Sequence, residues 1–560
     1  MIVDFRSLRK ASKQFYDGDL RIAVCGDSAT QLLVTALRGA LATKGLSGKV
    51  FEAEYNQIQR QLFVPQSDLH TFDPQITIVW ETVESWWLSN ESVEERIRRV
   101  REYAQTVKGN LIYANYVLMN DGCFGSYAGT SASFSVKVRK FNTALDELAQ
   151  ELTNLYVLDL SAIVGRVGYG NAFDPQLYIT SDMVLSLDVQ ALYAIRIAEV
   201  ISIMQGKLRK CVICDLDNTL WGGIIGEDGF NGIQLGNHGL GKAYARLQCW
   251  LKRLQERGII LAVCSKNDEE VAKEPFRRHP EMLVHLDDVA CFIANWNTKA
   301  DNVAHIQKVL NIGFDSMVFL DDNPVEREIV RNAHPEVCVP ELPSDPAEWV
   351  PFLSSENLFE TITYSGEDKA RTAQYRSEAQ RVEWHATFKN EDEFLQSLKM
   401  RGVVKKLDEF TIPRAAQLTQ RSNQFNVRTK RYTEDDLRNF ITQSGNIGLT
   451  YSLSDRFGDH GLVSIILGKR SGTELFIDTW IMSCRVLKRG LEYLAFDALC
   501  QIAFQDGVET IVGEYLPTKK NSMVKTLYSS LGFLDKGSGL YELKTDSIHV
   551  PEYFIQQVME

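Results

Sequence analysis

Between residues 21 and 205, short apolar runs alternate with amphipathic stretches: IAVCGDS, then a segment of helical spacing, then ITIVWE, LIYANYV and YVLDLS. Strands alternating with helices predict a parallel sheet covered by helices on both faces. A second series of the same kind begins near Lys210, with the runs CVICDLD, IILAVCSKN, CFIAN and MVFLDDN. Between the first two of these, Leu247, Trp250, Leu251 and Leu254 recur at the spacing of one helix face. From about Ser354 to Leu398 the strand-like runs stop, and the charged stretch GEDKARTAQYRSEAQRVEWHATFKNEDEF reads as a helical connector. Beyond Met400, strands are expected near 447–454, 461–468 and 474–482, a helix from Lys488, then the run IVGEY and a helix ending at Leu531-Gly532.

A chain of 560 residues is too long for one hydrophobic core, since single cores stop growing at roughly 250 to 300 residues. The reading is a multidomain α/β protein: an α/β domain at 1–205, a second α/β domain at 206–353, the connector at 354–398 and an α+β domain at 399–560. A formal net charge of −12 argues against general attraction to nucleic acid or an anionic membrane, both of which need a positive field. The opening residues lack the apolar core of a signal peptide, and no later run is long enough to span a bilayer, so a cytoplasmic location is expected. Ten dispersed cysteines fit reduced thiols. Cys211 and Cys214 form a CxxC without a second ligand pair, inside an apolar run that reads as a buried strand.

The strongest chemical signal is DLDNTLWGG, where Asp215 and Asp217 close an apolar strand. Residues i and i+2 share a strand face, so both carboxylates are expected to converge at the C-terminal edge of the sheet, where open parallel sheets bind ligands. One carboxylate can attack phosphorus while the other protonates the leaving oxygen and later activates water. Asp321 and Asp322 close another apolar run, and with Asp215 and Asp217 they supply the hard oxygen ligands that Mg²⁺ prefers. Ser265, Thr219 and Lys299 are expected to hold the phosphate, Lys299 from the start of a helix.

The order DxDxT, Ser, Lys, DD resembles the four motifs of haloacid-dehalogenase phosphatases, with Asp215 as nucleophile. The surrounding text, DLDNTLWGGIIGEDG, CSKND, WNTKADN and FLDDNPVERE, resembles the FkbH-like branch, and so do SNQFNVRTKRY, DRFGDHGLVS and SCRVLKRGLE further on. The resemblance spans about Lys207 to Phe533. It implies a glyceryl transferase and phosphatase that takes a three-carbon unit from 1,3-bisphosphoglycerate, removes phosphate and loads glyceryl onto the phosphopantetheine thiol of an acyl carrier protein. A different enzyme also fits: a small-molecule phosphatase fused to an acyl-CoA-dependent N-acyltransferase.

The C-terminal domain resembles a Gcn5-related acyltransferase fold. Its expected pantetheine or CoA contacts are Arg485, Arg489 and Gly490 at a helix N-terminus, with Lys488 in place of that fold's first glycine. Asn521 and Tyr528, before Gly532-Phe533, resemble the end of the same fold. Cys484, beside these arginines, is expected to favour thiolate and to carry the acyl group as a thioester. In the N-terminal domain, Gly-Asp-Ser at Ser28 resembles the nucleophile block of SGNH hydrolases. Asp182 and Asn115 take plausible partner positions, but the histidine of Asp-x-x-His is replaced by Leu185. A degenerate hydrolase fold is expected there.

Overall fold

The computed structural model describes residues 4–89, 91–118, 123–362, 371–385 and 387–559. The chain divides into two compact units, Met1–Met204 and Gln205–Glu560. Among the described residues no helix is long and apolar enough to cross a membrane.

The first unit is built on a parallel sheet of β1 (Leu20–Gly26), β2 (Gly48–Glu52), β3 (Ile76–Trp80), β4 (Asn110–Ala114) and β5 (Leu155–Leu158), in the order β2-β1-β3-β4-β5. Every residue of β3 is buried, as a central strand covered on both faces requires. Helices Gln31–Thr43, Val93–Thr106, Phe134–Glu151 and Leu187–Met204 supply the cover. Ser92 and Glu95 close a capping box on the second of these, tying down its first turn. The strand that pattern alone did not reveal, β2, starts at Gly48, where a Cβ would lie 2.4 Å from the Leu20 carbonyl oxygen.

The second unit opens with β6 (Cys211–Cys214), β7 (Ile260–Ser265), β8 (Val289–Ala294) and β9 (Met317–Leu320), all parallel in the order β8-β7-β6-β9. Successive residues of β6 point to opposite faces. Cys211 and Ile213 enter one core with Val303, Ile306 and Phe319, while Val212 and Cys214 enter the other with Leu251, Trp349 and Leu353. Cys211 and Cys214 therefore lie in different cores, and neither belongs to a disulfide.

The rest of this unit is a second, largely antiparallel sheet comprising β10 (Met400–Lys406), β11 (Phe425–Asn426), β12 (Ile447–Asp455), β13 (Gly458–Ser471), β14 (Glu474–Met482), β15 (Thr510–Glu514), β16 (Leu534–Gly537), β17 (Leu540–Lys544) and β18 (Ile555–Met559). Strands β14 and β15 pair in parallel, as do β10 and β18. The helix Leu491–Gln505 packs its buried Leu494, Phe496 and Leu499 into the same core as Tyr451 and Trp480. The expected connector is helical at Arg371–His385 and Glu391–Ser397, but its first helix is no solvent-exposed link. Tyr375 is buried in the core around Val303 and Ile306, and Arg381 forms a buried ion pair with Asp455 at 2.7 Å.

Candidate active site

In the four-stranded sheet the chain runs outward from β6 through β7 to β8 and then returns to the other side of β6 as β9. The reversal leaves a crevice beyond the C-terminal ends of β6 and β9, the place where such sheets receive ligands. Asp215 follows β6, and Asp321 and Asp322 follow β9. The pairing of Cys214 with Leu320 and the bond from the Asp215 N–H to the Leu320 carbonyl, 3.0 Å, hold the two turns side by side. One carboxylate oxygen from each of Asp215, Asp321 and Asp322 lies within 4.8 Å of the others.

Lys299, the first residue of the helix Lys299–Leu310, is aimed inward by its N-cap Thr298, whose hydroxyl accepts the Asp301 N–H. Its buried ammonium lies 2.8 Å from Asp215 Oδ2 and 2.5 Å from Asp321 Oδ2. Burial pushes the Asp215 carboxyl up to about 6 against the pull of Lys299, and the neighbouring Asp321 adds to the rise. Asp321 and Asp322 are raised by burial as well, Asp322 also by the charge of Asp215. Burial alone would lower Lys299, but the two carboxylates more than offset it and keep the ammonium charged.

One ammonium serves two of the three clustered carboxylates, and Asp215 Oδ1 is buried with no hydrogen-bond partner among the described residues. A crowded set of hard oxygen donors with an unsatisfied lone pair fits a small divalent cation, and Asp215, Asp321 and Asp322 are the residues that would hold it.

Asp217, expected among the metal ligands, is not in this cluster. The strand ends at Cys214 and Asn218 takes φ +52°, so the alternation that would have placed Asp217 beside Asp215 no longer applies. Its Oδ1 accepts the Trp221 indole N–H and the Ile225 N–H, both at 3.0 Å, and its Oδ2 accepts Asn267 Nδ2–H at 2.8 Å. Thr219 also differs from expectation. Its hydroxyl donates to Asp322 Oδ1 at 3.2 Å and accepts the Asp322 N–H at 3.0 Å, so it orients a carboxylate instead of facing a phosphate.

Ser265 ends β7 and accepts Asn267 Nδ2–H at 3.2 Å, which leaves its own proton for another acceptor. Asn267, which bridges Ser265 and Asp217, carried no separate signal in CSKND. Arg327 was equally silent: it is buried and donates to the carbonyls of Asp321 and Asp322 at 2.8 and 2.7 Å, fixing the turn after β9.

In the C-terminal sheet, the arginines expected to meet a phosphate are turned inward. Arg489 is buried, pairs with Asp455 at 3.2 Å and donates to the Arg485 carbonyl at 2.5 Å. Arg485 is buried too, with Nε on Ser483 Oγ at 3.3 Å and a terminal nitrogen on Gln374. Gly490 caps the helix Leu491–Gln505 at φ +78°, and Lys488 adopts φ +62°, so the helix cannot begin at Lys488 as expected. Cys484 is half-buried, its Sγ 4.0 Å from the Tyr375 hydroxyl and its carbonyl accepting Asn311 Nδ2–H at 2.5 Å. Asn521 is fully buried and donates to the Asn426 and Leu516 carbonyls, both at 2.9 Å, while Tyr528 stacks on Tyr541. Both hold the fold.

In the first unit, the corresponding crevice lies beyond β1 and β3, and the protein's own groups fill it. Ser28 is buried and accepts the Trp80 indole N–H at 2.9 Å; Asp27 accepts the Thr82 N–H at 3.0 Å. Asn115 donates to Asp159 at 2.8 Å, and the Asp182 carbonyl accepts the Ala29 N–H. The unit's single histidine, His70, bonds Ser67 on a helix that leads into the opposite end of β3, about 16 Å along the strand from the Ser28 edge.

Residues 21–202 match the family model described as FkbH, N-terminal domain. The crystal structure of the N-terminal part of the protein BF1531 from Bacteroides fragilis, containing a phosphatase domain complexed with Mg, is 43% identical. The match covers 64% of this chain and 100% of that one, with a TM-score of 0.62. The ribosomal-protein-S18-alanine N-acetyltransferase from Escherichia coli matches at 16% identity over 27% of this chain and 99% of its own, at a TM-score of 0.21. The GNAT domain of S. lividans PAT matches at 16% identity over 25% of this chain and 89% of its own, also at 0.21. No curated protein matches the chain.

Proposed function

The chain belongs to the FkbH family, and from that premise we propose that it is a phosphoryl-transfer enzyme of the haloacid-dehalogenase type with Asp215 as nucleophile. The observation that carries this reading is the asymmetry of the Asp215 carboxylate: Lys299 anchors Oδ2, while Oδ1 is buried without a partner and left to attack. An oxygen of Asp215 bonds to phosphorus as the ester P–O bond breaks, and Asp217 delivers a proton to the departing oxygen. Water then attacks the aspartyl phosphate, Asp217 takes the water proton, and phosphate leaves with Asp215 restored. Lys299 stays charged throughout, and Ser265 offers its hydroxyl proton to a phosphoryl oxygen. Mg²⁺ held by Asp215, Asp321 and Asp322 would offset the repulsion between the attacking carboxylate and the phosphoryl group.

We further infer that the phosphoryl substrate derives from 1,3-bisphosphoglycerate and that the glyceryl unit passes through Cys484 to an acyl carrier protein. This finer reading is supported by the motifs that run on past the four-stranded sheet into DRFGDHGLVS and SCRVLKRGLE. Asp455 and His460 of the first motif and Arg489 of the second meet in one buried cluster, and Arg489 also donates to the carbonyl of Arg485, the residue after Cys484, so both motifs shape the same corner.

The decisive experiment for the core of the proposal is phosphate release by Asp215→Asn, which should fall by at least about 10³-fold because the amide neither attacks phosphorus nor ligates a hard cation well. EDTA should silence the wild-type reaction and Mg²⁺ restore it. Turnover near wild type in the variant, or activity indifferent to EDTA, would remove Asp215 from the chemistry.

A further inference from the structure

The runs CSKND and FLDDNPVERE each carry a charged residue that the phosphoryl-transfer steps leave unused, Lys266 and Glu326. Lys266 directly follows Ser265 at the end of β7, and Glu326 lies in the first turn of the helix Pro324–Ala333, which follows β9. In the order β8-β7-β6-β9, the strand between β7 and β9 is β6, whose end carries Asp215. Two strand spacings, roughly 10 Å, separate β7 from β9. The Lys266 ammonium nevertheless meets Glu326 Oε1 at 2.5 Å, so this ion pair bridges the C-terminal end of β6 from one flank to the other. Val330 of the Glu326 helix shares a core with Val303 and Ile306 of the Lys299 helix, which brings Glu326 and Lys299 to the crevice from the same face of the sheet.

The Glu326 side chain is only 12% exposed, and its Oε2 is buried with no hydrogen-bond partner among the described residues, so Lys266 is what balances its charge. The Lys266 side chain is 36% exposed, and among the described residues its ammonium bonds Glu326 alone. An ammonium has three donors, so Glu326 pins the group while leaving N–H bonds for a second acceptor. Lys299 already divides itself between Asp215 and Asp321, and Arg327 spends its guanidinium on the Asp321 and Asp322 carbonyls and on Glu341. In a crevice crowded by Asp215, Asp217, Asp321, Asp322 and Glu326, an incoming phosphate dianion therefore meets Lys266 as the cation with donors to spare.

We propose that Lys266 is a specificity-determining residue of the Asp215 site: its ammonium, pinned across the end of β6 by Glu326, binds the phosphoryl oxygens of a phosphate monoester beside the Ser265 hydroxyl. A fixed cation there favours the dianion of a monoester over the monoanion of a diester. Because Lys266 meets the group before and during phosphoryl transfer alike, it acts on binding more than on the chemical step. Glu326 acts through Lys266 and is a positioning residue. The inference rests on the phosphoryl-transfer reading, and the two fail separately: that reading falls with an unimpaired Asp215→Asn variant, this one with an unimpaired Lys266→Met variant of an active enzyme.

The experiment uses the full-length protein at saturating Mg²⁺, with p-nitrophenyl phosphate as substrate and inorganic phosphate as competing inhibitor. Lys266→Met keeps the apolar stem and removes the charge, so KM and the inhibition constant of phosphate should both rise about tenfold, more than kcat falls. Lys266→Arg, which keeps the charge, should recover part of the loss. Glu326→Gln leaves an amide oxygen to accept from Lys266 while it removes a negative charge, so the inhibition constant should fall. The double variant Lys266→Met/Glu326→Gln strands no buried charge and carries the test where Lys266→Met is poorly folded: it should bind phosphate about tenfold more weakly than Glu326→Gln alone. Inhibition by phosphate that is unmoved when Lys266 is replaced, or weakened by Glu326→Gln as it is by Lys266→Met, would mean that the pair only braces the mouth of the crevice, and would overturn the proposal.

Discussion

At the scale of single residues, Asp215, Asp321, Asp322 and Lys299 were legible in the sequence because a carboxylate after an apolar strand, or a lysine opening a helix, has its direction fixed by the element. Asp217 was misplaced for the converse reason: its direction was taken from a strand that had already ended. Asn267 and Arg327 were not legible at all, since an amide or a guanidinium in a loop acts through hydrogen bonds that exist only after folding. Two substitutions test the residue assignments. Ser28→Ala should leave phosphate release and glyceryl loading within a few-fold of wild type, because the hydroxyl is already engaged by Trp80 and His70 is at the far end of the strand. A loss of a hundredfold in folded protein would show that the first unit does chemistry. Cys484→Ala should abolish loading of an acyl carrier protein while the Asp215 site still hydrolyses a small phosphate ester. Normal loading by that variant would mean that transfer passes directly to the carrier thiol.

At the scale of elements, the long apolar strands were readable and the short or mixed ones were not. β10 carries three basic side chains in seven residues and β2 alternates irregularly, so each is specified by its neighbours more than by its own composition. The charged connector posed the opposite problem. Its composition reads as a solvated helix, yet Tyr375 reaches the core under Val303 and Arg381 reaches Asp455, so the helix Arg371–His385 ties the two sheets of the second unit together. Tyr375→Ala should therefore cost about 3 to 5 kcal/mol, as removal of a buried aromatic ring does, read from the urea midpoint of the transition that includes the four-stranded sheet. A loss below ~1 kcal/mol would mean that the helix merely lies on the surface.

At the scale of the molecule, the division near residue 205 was legible, because the apolar pattern restarts at Lys210, whereas the close association of the two later sheets was not. The buried carboxylates give the whole chain a pH-dependent stability of definite sign. Without metal, the Asp215 carboxyl is raised from 3.8 to about 6, so its favourable contribution is complete below 3.8 and is lost as pH rises through 6. Between pH 5 and 7 in EDTA, Asp215→Asn should thus gain on wild type by on the order of 1 to 2 kcal/mol. Mg²⁺ at pH 7 should return that difference to the wild type. Parallel stability curves for the two proteins would place the carboxyl in a less costly setting.

The carboxylates and the basic recess lined by Lys210 and Ser316 lie at opposite ends of β6 and β9, and this placement also bears on flux. A molecule released from one end must diffuse through bulk solvent, or travel on a tether, before it meets the other. Ligands of the two ends should then bind without competing. A labelled intermediate formed by the free enzyme should be diluted by an unlabelled pool in solution, whereas one held on a carrier arm should keep its label through both steps.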